Sequence, residues 1–136
     1  MRFDKEDIEW MIAKGLCRGV ILHEMGHVLG IGTMWIQNGV YTAGEDEYVG
    51  SMAKNEWANL GCEGKLPVEL DGGSGTAGGH WDEECLNQEL MTGFVDSDMR
   101  LSKITVASLE DMGYGVNYTA ADSYDISMLD DCGTYC

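Results

Sequence analysis

Residues 23–32 read HEMGHVLGIG. His23 and His27 stand four apart, Glu24 follows the first, and Gly30 stands three after the second. On a helix, side chains four apart lie one above the other on the same face. The two imidazoles can therefore present nitrogens to one ion at about 2.0–2.1 Å. Glu24 lies about 100° round the helix from His23. It cannot easily ligate the same ion through so short a turn, but it can reach a water on that ion. A carboxylate so placed suits a general base that takes a proton from the water and later passes it to a leaving amine. Zinc would lower the pKa of that water towards 7 and polarise a scissile carbonyl.

A bland alternative is an apolar helix carrying two structural histidines, because HExxH alone has false positives. The flanks VIL and VL predict a buried helix, where unpaired histidines and a glutamate are costly. The chain has three histidines in all. The third, His80, ends a glycine-rich loop whose backbone can bring it over the helix. The rival third ligand is a downstream carboxylate, with Glu45, Glu47 and Glu56 in range. Gly30 favours a sharp turn after the motif and a ligand delivered from a loop.

The elements that must position these groups can be read coarsely. Residues 4–16 predict an amphipathic helix capped by Asp4, with Ile8, Met11, Ile12 and Leu16 at helical spacing. Residues 18–29 predict a second, strongly apolar helix, with Gly30 at a left-handed C-cap. A short helix is expected at 51–59 and an extended piece at 67–70, PVEL. DGGSGTAGG at 71–79 is a loop, and no Gly-Lys-Ser/Thr triplet makes it a phosphate cradle. Residues 102–112 predict a further helix with Ser102 as N-cap and Gly113 at C′. The acidic, tyrosine-rich tail carries no fold signal.

Length and composition fit one globular domain with a modest core. The net charge of −16 comes from 24 acids against 8 bases. No basic patch is available to release phosphate counterions, so nucleic acid is not an expected partner. Anionic membrane surfaces are excluded on the same ground. No EF-hand spacing of acids occurs. No run of about 18 apolar residues occurs, so direct membrane insertion is not expected. The charged start, MRFDKEDIEW, has no apolar h-region and does not read as a signal peptide. Five cysteines, Cys17, Cys62, Cys85, Cys132 and Cys136, lean towards an oxidising compartment and leave at least one unpaired. Cys62 with Cys85 is the expected bridge.

The combination of motifs resembles the leishmanolysin-type (M8) zinc metallopeptidases of the metzincin clan. The matching pieces are VILHEMGHVLGIGTMW at 20–35, GGHWDE at 78–83, NQELMTGF at 87–94 and LSKITVASLEDMGYGVNY at 101–118. They span roughly residues 3–124, with the insertion between 36 and 70 least alike. The compact metzincin pattern HExxHxxGxxH would put its third ligand at residue 33, which here is Thr33. His80 would substitute for it across a long insertion.

The resemblance implies one Zn2+ held by His23, His27 and His80, and Glu24 as catalytic acid/base. It implies Met91 as the Met-turn methionine beneath the metal and Gly30 as the tight turn after the active-site helix. Trp81 is expected to pack rather than react. The implied activity is a zinc endopeptidase with polypeptide substrates, from a secreted or cell-surface parent. The chain carries no address of its own, and nothing in its composition excludes the cytoplasm. The parent fold would be α+β, metzincin-like; this chain is expected to be mostly α-helix and long loops. Metzincins carry a sheet before the active-site helix that aligns substrate by backbone hydrogen bonds. Here 22 residues precede His23 and read as helix. The chain is therefore expected to be a partial catalytic domain or a truncated gene model. Its expected parts are 1–30 (helices), 31–79 (insertion and glycine loop), 80–124 (third ligand, Met-turn and C-terminal helix) and 125–136 (tail). An inactive zinc-binding fragment and a secreted acidic interaction module remain as alternatives.

Overall fold

The computed structural model describes residues 4–136. Met1–Phe3, the head of the expected first segment, lie outside the described residues. Two helices open the chain, α1 (Lys5–Lys14) and α2 (Cys17–Leu29). They are followed by β1 (Glu47–Tyr48), α3 (Ser51–Asn59), β2 (Leu66–Pro67), α4 (Glu83–Leu86) and α5 (Lys103–Asp111). β1 and β2 pair antiparallel, with Glu47 opposite Pro67 and Tyr48 opposite Leu66. Helices and loops joined by one small ribbon match the expected character of the chain.

The helix ends follow from local chemistry. The Asp4 carboxylate accepts from the Glu6 amide at 2.8 Å, and Gly15 closes α1 in the left-handed region. Ser102 Oγ accepts from the Thr105 amide and so starts α5, as expected for an N-cap. Gly30, at φ +115°, ends α2, and its amide reaches the carbonyls of Gly26 and His27. Among the described residues, no helix is long and apolar enough to cross a membrane.

The burial expected of α2 is corrected. Of its residues Gly26 is fully buried, while Ile21, Met25, Val28 and Leu29 are exposed, Val28 at 81%. On α1, Ile8, Trp10 and Ile12 are exposed too, whereas Met11 and, just beyond the helix, Leu16 are buried. Apolar spacing predicted the helices correctly, but among the described residues nothing packs on the outer side of the pair. The cost of burying the histidines is therefore confined to the inner face.

The core lies behind that inner face. Trp35, Tyr48 and Trp81 pack together at centroid distances of 4.7–5.1 Å, with Tyr48 edge-on to both tryptophans. Trp57 on α3 and Ile104 and Ala107 on α5 extend the cluster. Asp111, at the end of α5, ties three elements together. Its carboxylate accepts from the amides of Met52 and Ala53 at the start of α3 and from the Tyr48 hydroxyl. A negative charge there suits the helix N-terminus.

Glu89 is the most unusual core residue, a carboxylate only 1% exposed. Oε1 accepts from the Ser102 amide, the Ser102 hydroxyl and the Thr105 hydroxyl. Oε2 accepts from the Met91 amide at 2.6 Å. Burial pushes its pKa up, and the four donors oppose that shift. The network locks residues 89–91 to the first turn of α5. Trp81 packs, as its type suggested, and its Nε1 donates to Thr105 Oγ1 at 2.8 Å.

The expected Cys62–Cys85 bridge is overturned. Cys62 pairs with Cys136 and Cys85 with Cys132, at Cα separations of 4.3 and 4.4 Å. The tail, which carried no fold signal, wraps back over the ends of α3 and α4 and takes both partners. Cys17 is free and half-buried. The bridges close stretches of 74 and 47 residues. Chain-entropy arguments assign each about 4 kcal/mol.

Two predictions follow from these contacts. Peptide mapping without reductant should recover the 62–136 and 85–132 cross-links; a 62–85 cross-link would contradict this fold. Glu89→Gln places a donor against donors, and urea unfolding should show a loss of about 1–3 kcal/mol. An unchanged midpoint would mean that the network contributes nothing.

Candidate metal centre

His23 and His27 lie on the inner face of α2, one turn apart. His80 comes from the far end of the glycine loop. Its Nε2 lies 3.0 Å from His27 Nε2 and 3.2 Å from His23 Nε2, and the two helical Nε2 atoms are 3.0 Å apart. The approach depends on Gly32, at φ +70°, where a Cβ would collide with the carbonyl of Gly79, the neighbour of His80. A glycine in the left-handed region lets the two backbones meet there. His80 is then held from both sides. Its carbonyl accepts from the Glu69 amide, and the next amide, of Trp81, donates to the Met91 carbonyl.

The other ring nitrogens fix the tautomers. His23 Nδ1 faces the Leu90 carbonyl at 2.8 Å, His27 Nδ1 the Ile31 carbonyl at 2.9 Å, and His80 Nδ1 the Thr76 carbonyl at 2.8 Å. A carbonyl oxygen can only accept, so each Nδ1 carries the proton. In the neutral ring each Nε2 then turns a bare lone pair to the common centre. Burial pushes the pKa of His23 down and that of His80 down to about 4. Both rings are neutral at physiological pH, which is the ligating form.

This donor set fits a metal ion. Three nitrogens at about 2.0–2.1 Å from a tetrahedral zinc stand about 3.3 Å apart, close to the separations seen here. Backbone carbonyls holding the second nitrogens are the usual partners of ligating histidines. Among the described residues, these three histidines are the group that could hold a metal ion. The rival carboxylates are placed elsewhere. Glu47 pairs with Lys54 at 2.6 Å, and Glu56 accepts from the Asn59 amide nitrogen. Thr33 serves the helix end, where its hydroxyl donates to the His27 carbonyl.

Glu24 lines the same recess as the three histidines, a hollow of about 340 Å³ walled by Val20, Phe94, Val95 and Met99. Met91 is fully buried against the inner face of α2. A Cβ added at Gly26, between the two helical histidines in sequence, would stand 2.6 Å from its sulfur. Gly26 is thus the gap that lets Met91 lie under the helix. Sequence reasoning missed the three carbonyls that aim the imidazoles, since backbone groups carry no residue signal. It also missed Glu89, which follows two polar residues in NQELMTGF and carries no apolar-run signal of burial.

Known proteins can be set beside this geometry. The model of the leishmanolysin family, peptidase family M8, matches residues 1–134. A leishmanolysin-like peptidase of Drosophila melanogaster is 40% identical over 67 residues, which is 47% of this chain and 10% of that protein. A leishmanolysin homolog of Crithidia fasciculata is 29% identical over 120 residues, 76% of this chain and 18% of that protein. The chain spans less than a fifth of the length of either relative. No solved structure matches it significantly. With nearly its whole length matched, the chain belongs to the leishmanolysin (M8) family of metallopeptidases.

Proposed function

We propose that this chain carries the zinc-binding and catalytic residues of an endopeptidase that hydrolyses polypeptides. The observation that carries this reading is the convergence of three bare Nε2 atoms beside the Glu24 carboxylate in one recess. His23, His27 and His80 would hold the ion, with Gly30 and Met91 supporting the helix that presents two of them. A zinc ion so held supplies Lewis acidity towards a scissile carbonyl, acidifies water and stabilises the developing oxyanion. Glu24 acts as general base and then general acid. Its carboxylate takes a proton from the attacking water and delivers it to the nitrogen of the leaving amine. Phe94 and Val95, both half exposed, line the recess beside Glu24. The two disulfides support an oxidising compartment, and so a secreted or cell-surface parent protein.

A second reading is a zinc-binding unit that cleaves nothing on its own. The exposed apolar residues of α2, Ile21, Met25, Val28 and Leu29, favour it. They would leave the active-site helix unsupported on its outer side.

Cleavage by the wild-type chain separates these readings, and three variants test the parts of the site. His80→Ala should weaken zinc more than the about 10–100-fold lost when an outer partner of a ligand is removed. Retained affinity in competition with a chelator would remove His80 from the site. Glu24→Gln should keep one zinc and lose at least about 100-fold in kcat/KM on a denatured protein substrate. If the wild-type chain binds zinc and cleaves nothing, the second reading holds. If Glu24→Gln cleaves as fast as wild type, Glu24 has no acid/base role. Gly26→Ala should displace Met91 and lower stability by about 1–3 kcal/mol; an unchanged urea midpoint would mean that the close approach is not needed.

A further inference from the structure

His23 and His27 are fixed by one helix. His80 stands 53 residues after His27, at the end of a loop with five glycines between Asp71 and His80. Such a backbone loses much conformational freedom when it is fixed. Glu69 grips this loop from outside. Its amide donates to the His80 carbonyl at 3.0 Å, and its carbonyl accepts from the Gly78 amide at 2.7 Å. Its side chain is buried too, with the residue only 4% exposed. Oε1 accepts from the Asp71 amide at 2.8 Å and Oε2 from the Glu83 amide at 3.2 Å. Asp71 opens the loop, and Glu83 follows His80 by three residues. One carboxylate therefore joins the chain on either side of the ligand. The stem of Glu69 packs near the wall of the Glu24 recess. A Cβ added at Gly93 would meet Glu69 Cγ at 3.6 Å and collide with the side chain of Thr76, whose carbonyl aims His80. Among the described residues, no Lys, Arg or His side chain pairs with Glu69. A buried carboxylate without a cation is costly unless backbone donors hold it. Both of its side-chain donors belong to the segments that flank His80.

We propose that Glu69 is a positioning residue of the metal centre: its carboxylate ties Asp71 to Glu83 and so holds His80 where it closes the three-nitrogen set. The assignment rests on the metal reading of His23, His27 and His80. A metal ligand has to be held within about 0.5 Å of its productive place. The helix supplies that precision for two of the ligands, and a glycine-rich loop supplies none. Glu69 supplies it for the third, with its main chain against Gly78 and His80 and its side chain across the ends of the loop. Glu69 touches neither the ion nor a substrate, and it acts on the ion only through His80.

Glu69→Gln keeps the size of the side chain and replaces one acceptor by an NH2 group that faces a backbone N–H. Zinc affinity of the full chain, measured by competition with a chelator, should fall about 10–100-fold. The same change in the His80→Ala background should cost less than about twofold, because Glu69 then has no ligand to position. A general loosening of the fold would instead weaken zinc by a similar factor in both backgrounds. In the chain saturated with zinc, amide exchange at Asp71 or Glu83 should quicken at least about tenfold in Glu69→Gln, while the amides of α5 keep their wild-type rates. If Glu69→Gln does not fold, Glu69→Asp carries the same cycle. It keeps both oxygens but is one methylene too short to reach both amides, and it should weaken zinc about tenfold. Zinc affinity equal to that of wild type, an equal loss in both backgrounds, or unchanged exchange at both amides overturns the role of Glu69 and leaves the metal reading intact. A wild-type chain that binds no zinc overturns the metal reading, and the positioning role with it.

Discussion

Three imidazole nitrogens face one another at 3.0–3.2 Å, each with its proton committed to a backbone carbonyl on the other side of the ring. Three lone pairs so placed repel unless something positive lies among them. Much of the surrounding structure serves to hold that arrangement. The Ile31 carbonyl is supplied by the turn that Gly30 begins. The Thr76 carbonyl comes from the glycine loop, and the Leu90 carbonyl from the segment locked by Glu89. Each ligand is thus aimed by a different stretch of backbone, and the three stretches meet only when the chain is folded.

Glu89 shows how the site is coupled to the core. Its carboxylate gathers donors from Ser102, Thr105 and Met91, so the first turn of α5 and the Met91 segment move as one body. Leu90 lies between two residues of that body, and its carbonyl orients His23. Met91 fills the space opened by Gly26 and supports the helix from below. Asp111 makes a similar junction at the other end of α5, where it joins α3 and β1. The short helix α5 therefore connects the site to the aromatic cluster through two carboxylates.

Much of this was legible in the sequence. The HExxH spacing, Gly30, Ser102 and the 51–59 helix depend on local chemistry, and local chemistry is written along the chain. His80 was legible because a third histidine beside a glycine-rich loop has few other uses. The burial of α2 was not, because apolar spacing says which face is sticky and not what covers it. The disulfides were not, because Cys132 and Cys136 reach Cys85 and Cys62 only after the tail folds back. Glu89 was not, because its four donors lie two to sixteen residues away and share no motif.

The central claim is that His23, His27 and His80 bind one zinc together through Nε2. Zinc K-edge X-ray absorption on the purified chain, loaded with one equivalent of zinc, tests it most directly. The account predicts three imidazole nitrogens at about 2.0–2.1 Å and the remaining position filled by oxygen. A sulfur shell at about 2.3 Å, or fewer than three imidazoles, would contradict it.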